Sequence, residues 1–361
     1  EWVIEQIENI IAKLLQDLAN GHPLVIECAS KAVRKDKTHT RYDDQSRTLK
    51  RTNTSTLKQL HFPSLKSPKS FAIFVRILEI CHELLIQNIT ATKRDIYYKD
   101  VQLFVNQNTV DQAIDELACL FRIPRSCLNV IASAKGLVAG ALTIMRSDGV
   151  TIDCLIPRAI PHADNIHKIE STADIVIVVE KEVATFHHLL SINFLGKFNS
   201  CILITGKGYP DVATRQFVKL LDNHFKERAI ASKTPNSTCV FGFFDNDPYG
   251  IDILCVYKYG STSMSFDSQN LATPDMQWIG LHCRDWKTFV ALDKLLPMTF
   301  ADRKKALGLL SREYLPNSWK IEICRMLFVG KKAELQCLGD KDAGDVTDYL
   351  ATKLKDPSTW L

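Results

Sequence analysis

Three acidic residues follow strands of a predicted parallel sheet. Glu180 comes directly after the apolar run 175–179, and Asp245 and Asp247 come directly after the run 239–244. Open parallel sheets bind ligands at the carboxyl ends of their strands, so we expect these side chains to meet at one edge. Magnesium favours carboxylate oxygens and keeps water ligands for a phosphate substrate. The pattern therefore predicts a magnesium site that acts on a phosphate group.

Each of these acids could instead cap the helix that follows it, because a negative charge is favourable at a helix N-terminus. For Glu180 alone the two interpretations are equally good. Three carboxylates held together without a cation would repel one another and raise one another's pKa values. The set of three therefore favours a metal site.

Tyr97 and Tyr98 form a second candidate centre, on a short predicted helix that also carries Arg94. Neighbouring helical residues point about 100° apart, so one tyrosine can pack while the other faces solvent. Arg94 lies one turn before the pair, and its guanidinium could hold a phosphate or favour a phenolate. That help matters because a tyrosine with the ordinary pKa near 10 is a weak nucleophile. On spacing alone, however, a tyrosine pair on a helix is typical of packing.

A glycine-rich triplet, residues 206–208, follows the predicted strand 201–205. It lacks the GxxxxGK[ST] pattern of a phosphate loop and the third glycine of a dinucleotide fingerprint, so alone it is a weak signal. Its place beside the acidic residues makes it a candidate contact for DNA phosphates. Lys207 and Arg215 would supply the positive charge.

The composition is that of an ordinary globular protein, with 46% apolar and 24% charged residues. No apolar run approaches the roughly 18 residues of a membrane-spanning helix. Eleven cysteines are scattered without a CxxC pair, which argues against a zinc framework or a disulfide scaffold and fits a reducing compartment. The net charge of +4 indicates no particular class of partner.

Residues 1–69 are predicted to be an amphipathic helix followed by a basic linker. Residues 1–22 show helical spacing of apolar side chains and end at Gly21 and Pro23. The stretch 31–69 carries eleven Lys or Arg against three Asp and has few aliphatic side chains, which indicates a mobile segment. The helix could dock onto a partner or onto the rest of this chain. The linker could bind nucleic acid or only be solvated.

Residues 70–155 are predicted to form three helices and a small sheet. Ser70 caps the first helix, the second carries the tyrosine pair, and the third begins with a capping box at residues 109–112 and stops before Pro124. A hairpin with its turn at residues 147–149 follows. This order is that of a winged helix-turn-helix (CAP-like) domain, which usually places its third helix in a DNA groove.

Residues 156–361 are predicted to form an α/β domain with a helical C-terminal extension. Pro157 and Pro161 indicate a linker over residues 155–170. Strands and helices then alternate, as expected for a parallel sheet with right-handed crossovers. The predicted strands are residues 175–179, 201–205, 239–244 and 276–281.

Together these motifs resemble those of the meiotic DNA double-strand-break transesterases, the eukaryotic relatives of the A subunit of topoisomerase VI. The resemblance covers about residues 70–320 and includes both candidate centres. The matching segments are residues 93–100 (KRDIYYKD), 133–140 (SAKGLVAG), 179–182 (VEKE), 204–211 (ITGKGYPD), 245–250 (DNDPYG) and 259–261 (YGS).

The resemblance implies a winged-helix domain that bears the nucleophile, followed by a Toprim metal domain. Tyr98 matches the family's catalytic tyrosine, while Tyr97 is expected to be structural. Glu180, Asp245 and Asp247 match the family's Mg²⁺ ligands. The residues that match positions where the family contacts DNA or shapes the site are Lys135, Lys207, Tyr209, Arg215 and Tyr249.

The resemblance also implies the reaction and the assembly. The expected product on double-stranded DNA is a 5′-phosphotyrosyl link with a free 3′-hydroxyl. The expected assembly is a homodimer in which the tyrosine of one protomer meets the metal site of the other. A topoisomerase VI B-like subunit is expected to bind through the N-terminal helix, and the nucleus is the expected location.

Two segments depart from the family's pattern, and both adjoin metal ligands. Residues 180–186 are one residue longer than the usual run before Phe186, and an insertion there would rotate the following helix by about 100°. Residues 241–244 (FGFF) are a bulky, glycine-broken form of a usually aliphatic strand. These departures keep open a second hypothesis, a non-catalytic DNA-binding or scaffolding member with a weakened metal site. A third, a Toprim nuclease that uses water, should survive the change Tyr98→Phe.

Overall fold

The computed structural model describes residues 1–29, 40–51, 57–62, 68–131, 135–198, 200–232, 240–339 and 344–361. The chain forms two compact units. The first comprises Glu1–Asp43, Leu49–Ser133 and Ser261–Ser268, and the second comprises Asp44–Thr48, Ala134–Gly260 and Gln269–Leu361. In the described part of the chain, no helix is both long enough and apolar enough to cross a membrane.

The elements up to residue 131 are mostly helical. The helices are α1 (Trp2–Ala19), α2 (Pro68–Ile86), α3 (Lys93–Lys99), α4 (Val101–Phe104) and α5 (Gln107–Phe121). The strands are β1 (Leu24–Ala29), β2 (Thr40–Asp43), β3 (Thr48–Arg51), β4 (Leu57–Phe62), β5 (Ala91–Thr92) and β6 (Val130–Ile131). Strand β1 pairs antiparallel with β4, β2 pairs with β3, and β5 pairs parallel with β6.

Helix α1 joins the core of its own unit. Ile7 and Leu14 of α1 are buried in one apolar cluster with Ile26 of β1, Leu60 of β4 and Ile77 of α2. The sequence left open whether this helix docks onto a partner or onto the rest of the chain. The structure shows that it packs at least against this chain.

The expectation of a basic linker over residues 31–69 is wrong for the stretches that the structure describes. Strands β2, β3 and β4 lie in this range, and β4 buries Leu60 by pairing with β1. Composition could not reveal this because the apolar partner, β1, lies outside the basic stretch. Residues 30–39, 52–56 and 63–67 lie outside the described residues.

Two predicted helix starts are also wrong. Ser70 lies inside α2, which begins at Pro68, a residue type favoured in the first turn. Helix α5 begins at Gln107 because Asn106 is its N-cap and accepts the amide hydrogen of Thr109 at 3.1 Å. Thr109 therefore lies within the helix and is not its cap.

The second unit alternates strands and helices. Its strands are β7 (Leu137–Gly140), β8 (Leu142–Arg146), β9 (Thr151–Asp153), β10 (Arg158–Ala159), β11 (Ile166–Ser171), β12 (Ile175–Val179), β13 (Cys201–Thr205), β14 (Val240–Phe243), β15 (Gln277–Gly280), β16 (Leu296–Pro297) and β17 (Lys331–Lys332). Its helices are α6 (His188–Ser191), α7 (Phe194–Lys197), α8 (Val212–Ala231), α9 (Pro248–Tyr259), α10 (Ser268–Leu271), α11 (Trp286–Phe289), α12 (Phe300–Leu310), α13 (Asn317–Val329) and α14 (Val346–Lys355). A π-helical turn, Glu182–His187, precedes α6.

A six-stranded sheet forms the centre of the second unit, in the order β10-β7-β13-β12-β14-β15. Strands β12, β13, β14 and β15 are parallel to one another, as predicted, and β7 and β10 add antiparallel pairs at one edge. All residues of β13 and β14 are buried, which explains their apolar sequences.

The predicted linker over residues 155–170 contains strands. Strand β10 pairs with β7, and β11 pairs with β8 in a separate three-stranded sheet with β9. The predicted hairpin is confirmed as β8 and β9, but it belongs to the second compact unit. The boundary between the units therefore falls near residue 133, ahead of the expected boundary at 155.

Candidate active site

Three parallel strands end at the same level of the sheet. Val179, the last residue of β12, pairs with Thr205 of β13 on one side and with Phe243 of β14 on the other. Glu180 follows this level directly, and Asp245 follows it by two residues. The register thus brings together the acidic residues that the sequence assigned to strand ends.

Glu180 is tied to the segment that follows β14. Its Oε2 accepts the amide hydrogen of Asp245 at 3.1 Å, and the two residues are only 8% and 2% exposed. Gly250 permits this close approach, since a Cβ there would lie 2.4 Å from the carbonyl oxygen of Asp245 and 3.1 Å from Oε2 of Glu180. The sequence motifs included Gly250 only as the last residue of the segment 245–250 and did not predict this role.

Asp245 has partners that the sequence did not predict. Its Oδ2 lies 2.7 Å from Nζ of Lys181, which also lies 3.1 Å from Oε2 of Glu334. Its Oδ1 accepts the amide hydrogen of Leu335 at 2.8 Å. The only sequence signal for Lys181 was its position directly after Glu180.

Asp247 caps α9, because its Oδ1 accepts the amide hydrogen of Gly250 at 2.7 Å. The capping interpretation is therefore correct for this residue. Capping engages one oxygen of a partly buried carboxylate and is compatible with a metal contact through the other.

Burial raises the pKa values of all three carboxyl groups. The pKa of Glu180 rises to about 8, through burial first and then through the negative charges of Asp245 and Asp247. Burial also raises the pKa of Asp245, against the opposing effect of the Lys181 ammonium, and that of Asp247. Burial lowers the pKa of Lys181, but Asp245 and Glu334 outweigh it and leave that pKa above the ordinary value.

The donor set fits a hard divalent cation in its chemistry. Glu180, Asp245 and Asp247 supply carboxylate oxygens, and a cation would offset the repulsion that raises the pKa of Glu180. Among the described residues, no group of three or more acidic, His or Cys side chains is already arranged around a metal position. Binding would therefore require the side chains to converge, and Lys181 to release Oδ2 of Asp245.

The loop after β13 packs against Glu180. Gly208 donates its amide hydrogen to the carbonyl oxygen of Glu180 at 2.9 Å, and Lys207 adopts a positive φ of 56°. Nζ of Lys207 lies 2.9 Å from Oε1 of Glu182, and Nζ of Lys135 donates to the carbonyl oxygen of Lys207 at 3.2 Å. The structure thus brings Lys135 and Lys207 to the loop beside the carboxylates.

The other predicted DNA contacts differ in the solvent exposure of their side chains. Tyr209 and Tyr249 are exposed, at 43% and 37%. Arg215 is only 3% exposed on α8, which contradicts its assignment as a DNA contact, because its guanidinium does not face solvent. Charge and helical position could not distinguish an exposed arginine from this buried one.

The tyrosine pair lies on α3, in the first unit. Thr92 and Asp95 form a capping box at the start of this helix, and Ile96 is fully buried. Tyr97 packs against the apolar core, and its hydroxyl donates to the carbonyl oxygen of Val105 at 3.4 Å. The first tyrosine is therefore a packing residue, as the family pattern implies.

Tyr98 is 60% exposed. The angular offset between neighbouring helical residues allows one tyrosine to face solvent while the other packs, and Tyr98 is the one that does. Nη2 of Arg94 donates to the Tyr98 hydroxyl at 3.4 Å, and the guanidinium lies 5.8 Å from the ring centroid. The hydroxyl of Tyr98 raises the pKa of Arg94, so this side chain stays charged. The arrangement places an exposed phenol and a cation side by side, a combination whose chemistry suits a phosphate group.

Comparison with known proteins decides the family. The model of the Toprim domain shared by Spo11 and the A subunit of topoisomerase 6 matches residues 175–354, and that of the Type IIB DNA topoisomerase matches residues 69–130. Meiotic recombination protein SPO11 of Mus musculus is 37% identical over 343 residues, which cover 93% of this chain and 83% of that protein. The chain belongs to the family of Spo11 and the topoisomerase 6 A subunits.

Two further relatives of this Spo11-family chain cover almost its whole length. Meiotic recombination protein SPO11 of Homo sapiens is 36% identical over 361 residues, covering 98% of this chain and 87% of that protein. The A subunit of DNA topoisomerase 6 of Arabidopsis thaliana is 33% identical over 365 residues, covering 99% of this chain and 81% of that protein. The resemblance inferred from the sequence motifs is confirmed.

The two family models cover different site residues of the Spo11-family chain. Arg94 and Tyr98 lie within the type IIB topoisomerase match, and Glu180, Asp245 and Asp247 lie within the Toprim match. The Toprim part of the predicted fold is thereby confirmed. The winged helix-turn-helix assignment of residues 70–155 stays a prediction.

The structure accommodates both sequence departures of this Spo11-family chain. The segment after Glu180 forms the π-helical turn Glu182–His187, which holds one more residue per turn than an α-helix and keeps Phe186 and Leu189 buried. Strand β14 keeps its register with β12, but its pairing with β15 shifts by one residue between Gly242 and Phe243. Gly242 leaves room for Leu254 and Phe244. The expected rotation of the following helix by about 100° stays a prediction.

Proposed function

We propose that this chain makes the DNA double-strand breaks that initiate meiotic recombination, by transesterification with Tyr98 as the nucleophile. The presentation of Tyr98 carries the proposal: its ring is exposed on a capped helix beside Arg94, whereas the neighbouring Tyr97 is packed. Membership in a family whose relatives are named for meiotic recombination and topoisomerase activity supports the same reaction.

In the proposed reaction, Oη of Tyr98 forms a bond to phosphorus and the bond from phosphorus to the 3′ oxygen breaks. The phenol proton leaves to solvent, and the departing 3′ oxygen takes up a proton. The product is a 5′-phosphotyrosyl link with a free 3′-hydroxyl, so no water and no net phosphoester bond is consumed. Arg94 would hold the phosphate and offset the charge that develops on it.

Glu180, Asp245 and Asp247 would hold Mg²⁺ in this reaction. The ion, when bound, supplies charge stabilisation at the phosphate and at the leaving oxygen. Lys181 would transfer from Asp245 to Glu334, which already lies 3.1 Å from its ammonium. Lys135, Lys207, Tyr209 and Tyr249 would contact DNA beside these carboxylates.

The proposed assembly is a nuclear homodimer, in which the tyrosine of one protomer serves the carboxylates of the other. A two-fold dimer supplies two such sites, one for each strand. A topoisomerase VI B-like subunit would bind through α1. That helix keeps Trp2, Leu15 and Leu18 exposed after burying Ile7 and Leu14, which supports a surface for a partner.

Covalent trapping tests the proposal. The chain is incubated with end-labelled duplex DNA and Mg²⁺, with and without a B-like subunit, and then denatured to look for label that migrates with protein. Tyr98→Phe, Tyr97→Phe and Asp245→Asn are run in parallel. We expect label to be lost with Tyr98→Phe and Asp245→Asn and retained with Tyr97→Phe.

One observation favours a second candidate function, a DNA-binding or scaffolding member with a weakened metal site. The ammonium of Lys181 occupies an oxygen of Asp245 that the metal would need. DNA binding without any cleavage, in the presence of the B-like subunit, would support this candidate. Cleavage without protein-bound label would instead indicate water as the nucleophile and overturn the role of Tyr98.

A further inference from the structure

A buried carboxylate in the second unit gathers a tyrosine and two cations around itself. Asp252 lies on α9 and is 6% exposed. Its Oδ2 accepts the hydroxyl hydrogen of Tyr209 at 2.5 Å and pairs with the ammonium of Lys305. Its Oδ1 lies 2.6 Å from Nη2 of Arg312. One side chain therefore contacts three others, which come from the loop after β13 and from α12 with the residues just beyond it.

The carboxylate of Asp252 stays charged in this position. Burial raises the pKa of Asp252, but Arg312, Lys305 and the Tyr209 hydroxyl outweigh burial and leave that pKa below the ordinary value. The cluster thus carries two positive charges against one negative charge. Its net charge suits an anionic ligand.

Lys305 lies between two exposed tyrosine rings. Its Nζ is 5.7 Å from the ring centroid of Tyr209 and 5.5 Å from that of Tyr249. Proteins bind the phosphates and sugars of duplex DNA with Lys and Arg side chains and also with tyrosine side chains. Lys305 and the two rings have this composition.

The cluster lies close to one of the candidate metal ligands. Asp252 is five residues beyond Asp247 on the helix that Asp247 caps, a displacement of about 7.5 Å along the helix axis. The carboxylate that anchors Lys305 is therefore within two helical turns of a candidate metal ligand.

We propose that Asp252 is a positioning residue for DNA, which orients Tyr209 and Lys305 so that Lys305 contacts a backbone phosphate near the cleaved one. The inference rests on the proposed function, since it takes DNA as the ligand. Asp252, Lys305 and Arg312 lie outside the set of residues that the sequence motifs singled out. The structure alone brings them to Tyr209.

The salt dependence of DNA binding tests the phosphate contact. Binding of a short fluorescent duplex to the full chain is measured by anisotropy over a range of NaCl concentrations, in EDTA so that no cleavage occurs. Loss of one phosphate contact lowers the slope of log K against log [NaCl] by about 0.9. We expect Lys305→Gln to lower the slope by this amount and to weaken binding about fivefold near 0.15 M NaCl.

Lys304→Gln is the matched control, because it removes the same charge from an exposed neighbour on the same helix. We expect it to change the slope by much less than Lys305→Gln. Equal slopes for Lys305→Gln and the wild-type chain would overturn the phosphate contact. Equal effects of the two variants would mean that the general surface charge, and not a specific contact of Lys305, attracts the DNA.

The variant Asp252→Asn tests whether Asp252 positions Lys305, because the direction of the change in DNA affinity differs between the two possibilities. Removal of a negative charge would by itself strengthen DNA binding, whereas loss of the anchor should weaken it several-fold. Tighter binding by Asp252→Asn overturns the positioning role. Tyr209→Phe keeps every charge and removes only the hydroxyl that donates to Asp252. It should weaken DNA binding and leave the salt slope unchanged. This variant keeps the proposal testable if Asp252→Asn does not fold.

The outcomes separate this inference from the proposed function. A lowered slope for Lys305→Gln without any covalent adduct would support the contact and reject the transesterase. Adduct formation together with a wild-type slope for Lys305→Gln would reject the contact alone. A wild-type chain that binds no DNA at all would overturn both.

Discussion

The ammonium of Lys181 lies 2.7 Å from Oδ2 of Asp245, on a residue directly after Glu180. A positive charge thus already offsets part of the negative charge at the acidic edge of the sheet. Glu334 lies within 3.1 Å of the same ammonium and offers it a second carboxylate. The pair stabilises the metal-free site and competes with a divalent cation for the same oxygen.

Lys181→Met should tighten Mg²⁺ binding, because the competing ammonium is gone. We expect a gain of about tenfold, or about 1.4 kcal/mol, in isothermal titration calorimetry. The metal-free protein should unfold at a lower temperature, since Asp245 loses its partner while buried. Lys168→Met, which breaks an exposed pair with Glu170, is the control. Weaker Mg²⁺ binding by Lys181→Met would mean that the lysine helps the metal.

The stabilisation of the protein by Mg²⁺ should grow as the pH rises towards 8. The pKa of Glu180 is about 8 in the folded chain, whereas an unfolded glutamate titrates near 4.3. Metal-free stability therefore falls between about pH 4 and pH 8, because the folded state binds the extra proton. Mg²⁺ must displace this proton, so its apparent affinity should fall by roughly tenfold per pH unit below 8.

Thermal unfolding with and without Mg²⁺ at pH 6.5 and 8.5 measures this dependence on pH. Glu180→Gln carries no titratable group at this position and serves as the control. We expect it to flatten both the metal-free curve and the Mg²⁺-dependent shift. An equal Mg²⁺-dependent shift at both pH values in the wild-type protein would argue against Glu180 as a ligand.

Arg94→Ala should reduce adduct formation by about 100-fold, as expected for loss of one charged group at a developing negative charge. Its side chain is exposed, so the free energy of unfolding should change by less than about 0.5 kcal/mol. Thr92→Ala, which removes the cap of the same helix, should instead cost about 1 kcal/mol of stability. Urea denaturation and covalent trapping separate the two effects, and an active Arg94→Ala would exclude a catalytic role.

Gly250→Ala should destabilise the site beside the carboxylates. The new Cβ would lie 2.4 Å from a backbone carbonyl oxygen, so the segment after β14 must move, at a cost of about 1–3 kcal/mol. Mg²⁺ binding should weaken as well, because the contact between Asp245 and Glu180 is disturbed. Gly308→Ala in α12 meets no atom within 4 Å and should instead stabilise by about 0.5 kcal/mol. A harmless Gly250→Ala would contradict this close packing.

Local sequence patterns predicted those features of the site that depend on strand and helix geometry. The apolar runs β12, β13 and β14 and the acidic residues after them follow from the parallel-sheet rule. The opposite exposures of Tyr97 and Tyr98 follow from helical geometry. Apolar runs and the helical offset are properties of a few consecutive residues, so a single sequence contains them.

Contacts between distant segments escaped prediction. The amide of Leu335 reaches Asp245 across ninety positions of sequence, and Lys305 reaches Asp252 across fifty-three. The burial of Arg215 depends on what covers α8, and the strand β4 depends on its pairing with β1. No local periodicity encodes such partners.

The π-helical turn at Glu182–His187 has an evolutionary consequence. Its surplus residue is taken up where Val183 faces solvent at 76% exposure, while Phe186 remains in the core. Chain length can therefore change by one residue close to a candidate metal ligand without a change in what the core contains.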